Sequence, residues 1–147
     1  MKTPVSVLVV IHTAGLDVLL LERAAQGDFW QSVTGSQEGH ESLLDTALRE
    51  VREETGIQPS AGHLVDWRLM NRFEIFPVWR HRYADGITHN DEHVFSLQVS
   101  EHLNVQLARE EHRSFKWLAW HEAAAQCFSW TNRDAILMLP LRSAKDT

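Results

Sequence analysis

Three glutamates, Glu50, Glu53 and Glu54, gather toward the C-terminal end of the most legible helix of this chain, the last two of them in its final turn, and no other feature narrows the possible folds as much. Leu44, Ala47, Leu48 and Val51 recur at the i, i+3, i+4, i+7 spacing that puts apolar side chains on one helix face. Ser42 is a suitable N-cap and Gly56 a suitable left-handed C-cap, so the helix is expected over Leu43 to Thr55. At ~100° per residue the three glutamates project about a third of a turn away from the apolar stripe, which lets the stripe pack while the carboxylates face a cleft. The carbonyl end of a helix is negative, so acidic side chains there are disfavoured. Arg49 can pair with Glu53 at i+4, and Arg52 adds a second positive charge, but these relieve the repulsion without explaining it. Clustered hard oxygen ligands suit magnesium or manganese, which prefer carboxylates, water and phosphate oxygens.

A solvated, salt-bridged face is the ordinary explanation for Glu and Arg on a helix. The spacing argues against it here. Gly35 is followed by five residues, Glu41, seven more residues, and then Arg49-Glu50-Val51-Arg52-Glu53-Glu54-Thr55-Gly56-Ile57. Seven fixed residue types plus two apolar positions, each type occurring at roughly 5–7 %, give a chance match on the order of one in a billion per start position. The stretch resembles the Nudix box at every defining position: Gly35, Glu41, Arg49, Glu50, Glu53, Glu54 and Gly56. The Nudix family comprises pyrophosphohydrolases that cleave a nucleoside diphosphate joined to another group. The resemblance implies an α/β fold, an α/β/α sandwich with a mixed central sheet. It also implies that Glu50 and Glu54 are the principal metal ligands, with Glu53 an additional one. Arg49 resembles the family arginine that orients a glutamate, and Glu41 the supporting loop glutamate. One position departs from the family loop: His40 precedes Glu41, and the glycine stands one residue earlier, at Gly39. A displaced glycine redirects one peptide of the loop and leaves the helix intact.

At 147 residues with 44 % hydrophobic content, the chain is expected to form one domain, residues 1–147, with enough core to fold without disulfides. The single Cys127 lies in an apolar segment read as helical, which fits a buried thiol and a reducing compartment. The run Val7 to Ile11 is too short to span a bilayer and has no cleavage pattern after it, so it reads as a buried strand of a cytoplasmic protein. A net charge of −6 opposes broad nucleic-acid binding. A small polyphosphate is different, because metal ions and a few placed cations meet its charges. A monomer is compatible with all of this.

Strands are expected at Pro4 to Ile11, Val18 to Leu21 and Trp30 to Thr34, with a turn at Gly15 between the first two. Further strands are read within Leu64 to Phe76, Trp79 to Tyr83, His93 to Val99 and Phe115 to Leu118. Ala119 to Phe128 reads as helix by alanine content, and Asn132 to Leu139 as a last helix ending near Pro140. The nine histidines form no His-Glu-x-x-His run or paired Cys/His spacing. His81, between Arg80 and Arg82, fits either a phosphate-facing basic strand or a solvated one.

Beyond the box, the chain is similar to one subset of the family, the dihydroneopterin triphosphate pyrophosphatases of folate biosynthesis. The matching segments are Pro4 to Ile11, Asp28 to Ser36, Phe73 to Phe76, Arg80 to Ala84, Lys116 to Leu118, and Trp130 with Asn132-Arg133. That resemblance makes Lys2, Arg23 and Thr34 candidates for holding the substrate, and Phe73, Glu74, Ile75 and Phe76 for lining the place of its ring. Lys2 and Arg23 suit phosphate oxygens, and an aromatic wall offers stacking to a flat pterin or purine. Core packing is the competing role for Phe73 and Phe76. Trp30 reads as core.

Family members also contribute a downstream glutamate as metal ligand or general base. Segment alignment favours Glu111, with Glu110 as the alternative. The implied reaction converts dihydroneopterin triphosphate to the monophosphate and pyrophosphate with Mg²⁺, or Mn²⁺ in its place. The implied catalytic set is Glu53, Glu54, Arg49 and Glu111. A purine triphosphate hydrolase acting on dATP or oxidised nucleotides is the nearer alternative. A sensing domain that binds without cleaving is the remote one, and it commonly loses box glutamates that this chain keeps.

Overall fold

The computed structural model describes residues 1–59 and 63–145. In chain order its elements are β1 (Val5–Thr13), β2 (Asp17–Arg23), β3 (Trp30–Gln31), β4 (Val33–Ser36), α1 (Leu43–Thr55), β5 (His63–Glu74), a 3-10 helix (Pro77–Arg82), β6 (His89–Val99), β7 (His112–Ala119), α2 (Trp120–Gln126) and α3 (Trp130–Lys145). The strands form one mixed sheet in the order β3-β2-β1-β6-β5, with β4 paired to β1 and β7 to β2. β1 runs parallel to β6, from Val5 opposite Asp91 to Thr13 opposite Val99, and antiparallel to β4.

The continuous apolar run of β1 is explained by its place between two layers of helix, which buries both faces of the strand. Val7, Val9 and Ile11 point to one side, where Leu19, Leu21, Phe95 and Leu97 meet Ala47 and Val51 of α1. Leu8 and Val10 point to the other, where Val18, Leu20 and Val94 meet Ala123, Ala124, Ala135, Ile136 and Leu139 of α2 and α3. The expected α/β/α sandwich is therefore present. Among the described residues no helix is long and apolar enough to cross a membrane.

α1 has the expected bounds. The Ser42 side chain accepts a hydrogen bond from Asp45 N at 3.0 Å, and Gly56, at φ 73°, closes the end by donating to Arg52 O. The orientation of its faces differs from the expectation. Leu44 is 50 % exposed, whereas Glu50 and Glu54 are only 8 % and 1 % exposed. The stripe that packs runs through Leu43, Ala47 and Val51, so Glu50 and Glu54 share the buried side instead of standing clear of it.

Two further expectations are corrected. Trp79 to Tyr83 is not a strand: Pro77 opens a 3-10 helix there, its ring fixing φ and removing a ladder donor. The last helix does not end near Pro140 but continues to Lys145. Arg142 anchors that extension, donating to Trp67 O at 3.1 Å and lying over the Trp67 ring.

Candidate active site

Arg49 organises the acidic end of α1. Its guanidinium donates to both oxygens of Glu41, at 2.7 and 3.1 Å, to Glu50 Oε1 at 2.8 Å, to Glu53 Oε2 at 3.2 Å and to Ser36 O at 2.9 Å. Glu41 is thereby held as a carboxylate, its pKa lowered to about 2 chiefly by the Arg49 hydrogen bonds. Reciprocally, Arg49 is held firmly protonated. Gly35 on β4 lies against Glu50 so closely that a Cβ there would collide with the carboxyl group. Gly39, in the loop that departs from the family pattern, has φ 53° and open space where a Cβ would stand, so glycine is favoured there by its positive φ and not by crowding.

Deeper in the cleft, Glu54 receives a hydrogen bond from the Thr34 backbone and shares one with Glu50, while its Oε2 has no partner. Burial and the facing charges of Glu50 and Glu111 push the Glu54 pKa far up, and burial raises that of Glu50 as well. A hydrogen bond between two carboxyl groups needs a proton between them, so this pair is not doubly ionised without a cation.

His112, at the start of β7, puts Nδ1 3.5 Å from Glu54 Oε1 without forming a hydrogen bond, and its Nε2 lies 3.4 Å from Gln31 Nε2. Burial, with help from Arg23, lowers the imidazole to about 4, so the contact with Glu54 is not an ion pair at neutral pH. Glu54, Glu111 and His112 bring ligand atoms within 4.8 Å of one another. Glu110 lines the same cleft but is not in this group. A buried, partnerless carboxylate oxygen beside a neutral imidazole and an exposed carboxylate is a donor set suited to a divalent cation.

This acidic cleft, of about 590 Å³, is also lined by Glu50, Glu53, Lys2, Arg23, Thr34 and Arg82. Lys2, Arg23, Thr34, Gly35 and Arg82 border a second cavity of about 230 Å³ as well, so the two spaces adjoin. The walls of the second are Phe73, Ile75, Phe76, Trp79, Phe128 and Trp130, with Glu74 at its edge. At the junction, Arg23 and Arg82 lie over the Trp79 ring at 4.8 and 5.8 Å. Removal from water, then the charges of Arg82 and Arg23, lower the Lys2 pKa, the mark of cations gathered for an anion.

The structure thus brings the predicted Lys2, Arg23, Thr34 and Phe73 to Phe76 to one continuous space with Glu50, Glu53, Glu54 and Glu111. Phe73 and Phe76 line the cavity and are not among the buried core clusters. Trp30 lies outside both cavities, packed against the α2/α3 core with Lys116 over its ring. His81 faces outward in the 3-10 helix, its Nδ1 2.9 Å from Val78 O, and of its neighbours only Arg82 reaches the cleft.

Sequence reasoning missed His112, Gln31, Trp79, Asn90, Glu92, Thr131 and Asn132, and left Arg82 open between a phosphate-facing and a solvated role. One signal was readable: Asn90 and Glu92 are polar residues in period two with the buried Val94, on the same strand face.

Residues 2–139 match the family profile described as NUDIX domain. The chain belongs to the Nudix family. This Nudix chain is 44 % identical over 146 residues to the dihydroneopterin triphosphate diphosphatase of Escherichia coli K12, a match spanning 97 % of this chain and 96 % of that protein. The protein of the same name from Haemophilus influenzae is 41 % identical over 138 residues, spanning 92 % and 86 %. The solved structure of the E. coli dihydroneopterin triphosphate pyrophosphohydrolase superposes with a TM-score of 0.89 at 43 % identity, over 96 % of this chain and 97 % of that one. An Ap4A hydrolase from C. elegans, at 19 % identity and a TM-score of 0.75, shares the Nudix fold.

Proposed function

We propose that this Nudix hydrolase converts dihydroneopterin triphosphate and water to dihydroneopterin monophosphate and pyrophosphate, a reaction of folate biosynthesis. The observation that carries this reading is the joined space itself. An aromatic cavity opens onto a cluster of cations and then an acidic cleft, in a chain similar over nearly its whole length to enzymes of that name. A flat ring, a short linker and a triphosphate match those three zones in order. The aromatic walls hold the ring by stacking and desolvation. Lys2, Arg23 and Arg82 meet phosphate oxygens, Arg82 as an addition to the residues foreseen from sequence.

We assign Glu50, Glu54 and Glu111 as carboxylate ligands of Mg²⁺, with Mn²⁺ able to replace it, and His112 as a neutral neighbour of the same site. Glu53, exposed and tied to Arg49, is placed at the rim as a further ligand. A cation held by these carboxylates would lower the pKa of water at the site and offset negative charge on the leaving pyrophosphate. Arg49 keeps Glu50 and Glu53 turned toward the cleft while Glu41 anchors Arg49. Gly35 leaves room for the Glu50 carboxyl. Glu111, the exposed carboxylate of the cluster, takes the proton of the attacking water. The oxygen of that water ends on a product phosphate as the bridge between the α and β phosphates breaks. A cytoplasmic setting fits Cys127, whose thiol burial pushes up to about 12 and keeps unreactive.

The deciding experiment incubates the protein with Mg²⁺ and dihydroneopterin triphosphate, dATP, 8-oxo-dGTP, nucleotide sugars or dinucleoside polyphosphates, and compares kcat/KM for pyrophosphate release. The highest value is expected for the pterin. A higher value for dATP or 8-oxo-dGTP would replace this reading with a purine triphosphate hydrolase. Glu54→Gln is expected to lower turnover by roughly 100-fold or more while far-UV circular dichroism stays native.

A further inference from the structure

The wall of the aromatic cavity contains a buried acid that the reaction at phosphorus does not use. Glu92 lies on β6, beside β1 in the middle of the sheet, and is 4 % exposed. It accepts a hydrogen bond from Thr131, yet its Oε1 has no partner, and among the described residues no cation pairs with it. Two residues earlier on the same strand face, Asn90 donates from Nδ2 to Ser6 Oγ at 2.7 Å, and its Oδ1 is likewise buried without a partner. Both residues line the cavity walled by Phe73, Phe76, Trp79 and Phe128.

A partnerless carboxylate oxygen in an aromatic pocket is costly, and a valine at either position would avoid the cost. Thr131 is itself braced: its Oγ1 is 3.3 Å from Ser129 Oγ, which accepts from Asn132 Nδ2 at 2.7 Å. The acceptors are therefore held in position, and what the cavity lacks is a donor.

We infer that Glu92, with Asn90, selects the ring by accepting hydrogen bonds from adjacent donors on its edge, the N3–H and 2-amino groups of a 2-amino-4-oxo pteridine. This deepens the pterin triphosphate reading above and rests on it. Guanine presents the same adjacent donors, whereas adenine presents an acceptor nitrogen beside its amino group and sets a lone pair against the carboxylate. The inference makes Glu92 a specificity residue, remote from the carboxylates around the metal site.

Ring binding alone tests it, without metal or turnover. Pterin and lumazine, which carries a carbonyl oxygen in place of the 2-amino group, are titrated into the wild-type protein and into Glu92→Gln by calorimetry. Pterin is expected to bind the wild type roughly 10- to 100-fold more tightly than lumazine. In Glu92→Gln that gap is expected to shrink to within a few-fold. Absence of pterin binding, equal affinity for the two rings in the wild type, or an unchanged gap in a folded Glu92→Gln protein each overturns the inference. Equal affinity in the wild type overturns the inference even where the variant fails to fold. Pyrophosphate release from dihydroneopterin triphosphate separates the two readings. Turnover without ring discrimination removes the role of Glu92 and leaves the activity, whereas discrimination without turnover does the reverse.

Discussion

At Gly35 and Glu50 two residues distant in sequence are matched by space. The glycine is needed because a Cβ would occupy the volume of the Glu50 carboxyl, and its φ is not in the left-handed region, so the demand is for room and not for backbone freedom. Gly35→Ala is expected to displace Glu50 and reduce kcat/KM by roughly 100-fold, with native circular dichroism retained, as assayed with Mg²⁺ and the triphosphate substrate. Glu92 makes a prediction about stability. Burial raises its pKa from 4.5 to about 7. An acid raised in this way supports the fold only while protonated, so its contribution is full below pH 4.5 and lost as the pH climbs through about 7. Glu92→Gln cannot titrate there. Its stability relative to the wild type is therefore expected to rise by roughly 3 kcal/mol across that window, measured by urea unfolding at several pH values. The opposing slope from His112 is common to both proteins and cancels in the difference.

α1 shows how an element can be legible in its ends and misread in its rotation. Ser42 and Gly56 act locally, through one hydrogen bond and one left-handed residue, so its bounds follow from sequence. Which side meets the sheet depends on β4, where Gly35 and Thr34 accept Glu50 and Glu54 against the strand. Ser42→Ala is expected to cost about 1 kcal/mol in urea unfolding, with kcat unchanged, because the cap lies at the opposite end of the helix from Glu50, Glu53 and Glu54 and, among the described residues, its hydroxyl is bonded to Asp45 N alone. The stretch after Phe76 and the helix after Pro140 were misread for related reasons. Pro77 converts an aromatic run from strand to 3-10 helix and so aims Trp79 and Arg82 at the cleft. Pro140 removes one helical donor, but the packing of Ile136 and Leu139 before it and the Arg142 anchor after it outweigh that loss.

For the whole molecule, folding without a cation must bring Glu50, Glu54 and Glu111 together against their mutual repulsion and burial. A divalent ion binds only the folded arrangement, so Mg²⁺ at about 100 times its Kd is expected to stabilise the wild type by ~2.7 kcal/mol, seen as a rise in Tm. The rise should be larger at pH 8 than at pH 6, because raised carboxyl pKa values leave protons to be displaced at the lower pH, and Glu54→Gln should show little of it. The sequence alone determined the bounds of α1, through periodicity and capping, and the family, through the fixed spacing of one segment, and the resemblance carried by that segment implied the sandwich. Only the tertiary structure decided that Glu50 and Glu54 are buried, that His112 joins them from β7, and that Asn90 and Glu92 line the aromatic cavity. These outcomes depend on which strands lie side by side. Desolvation and the absence of a partner are properties of that assembled space, which no single stretch of chain contains.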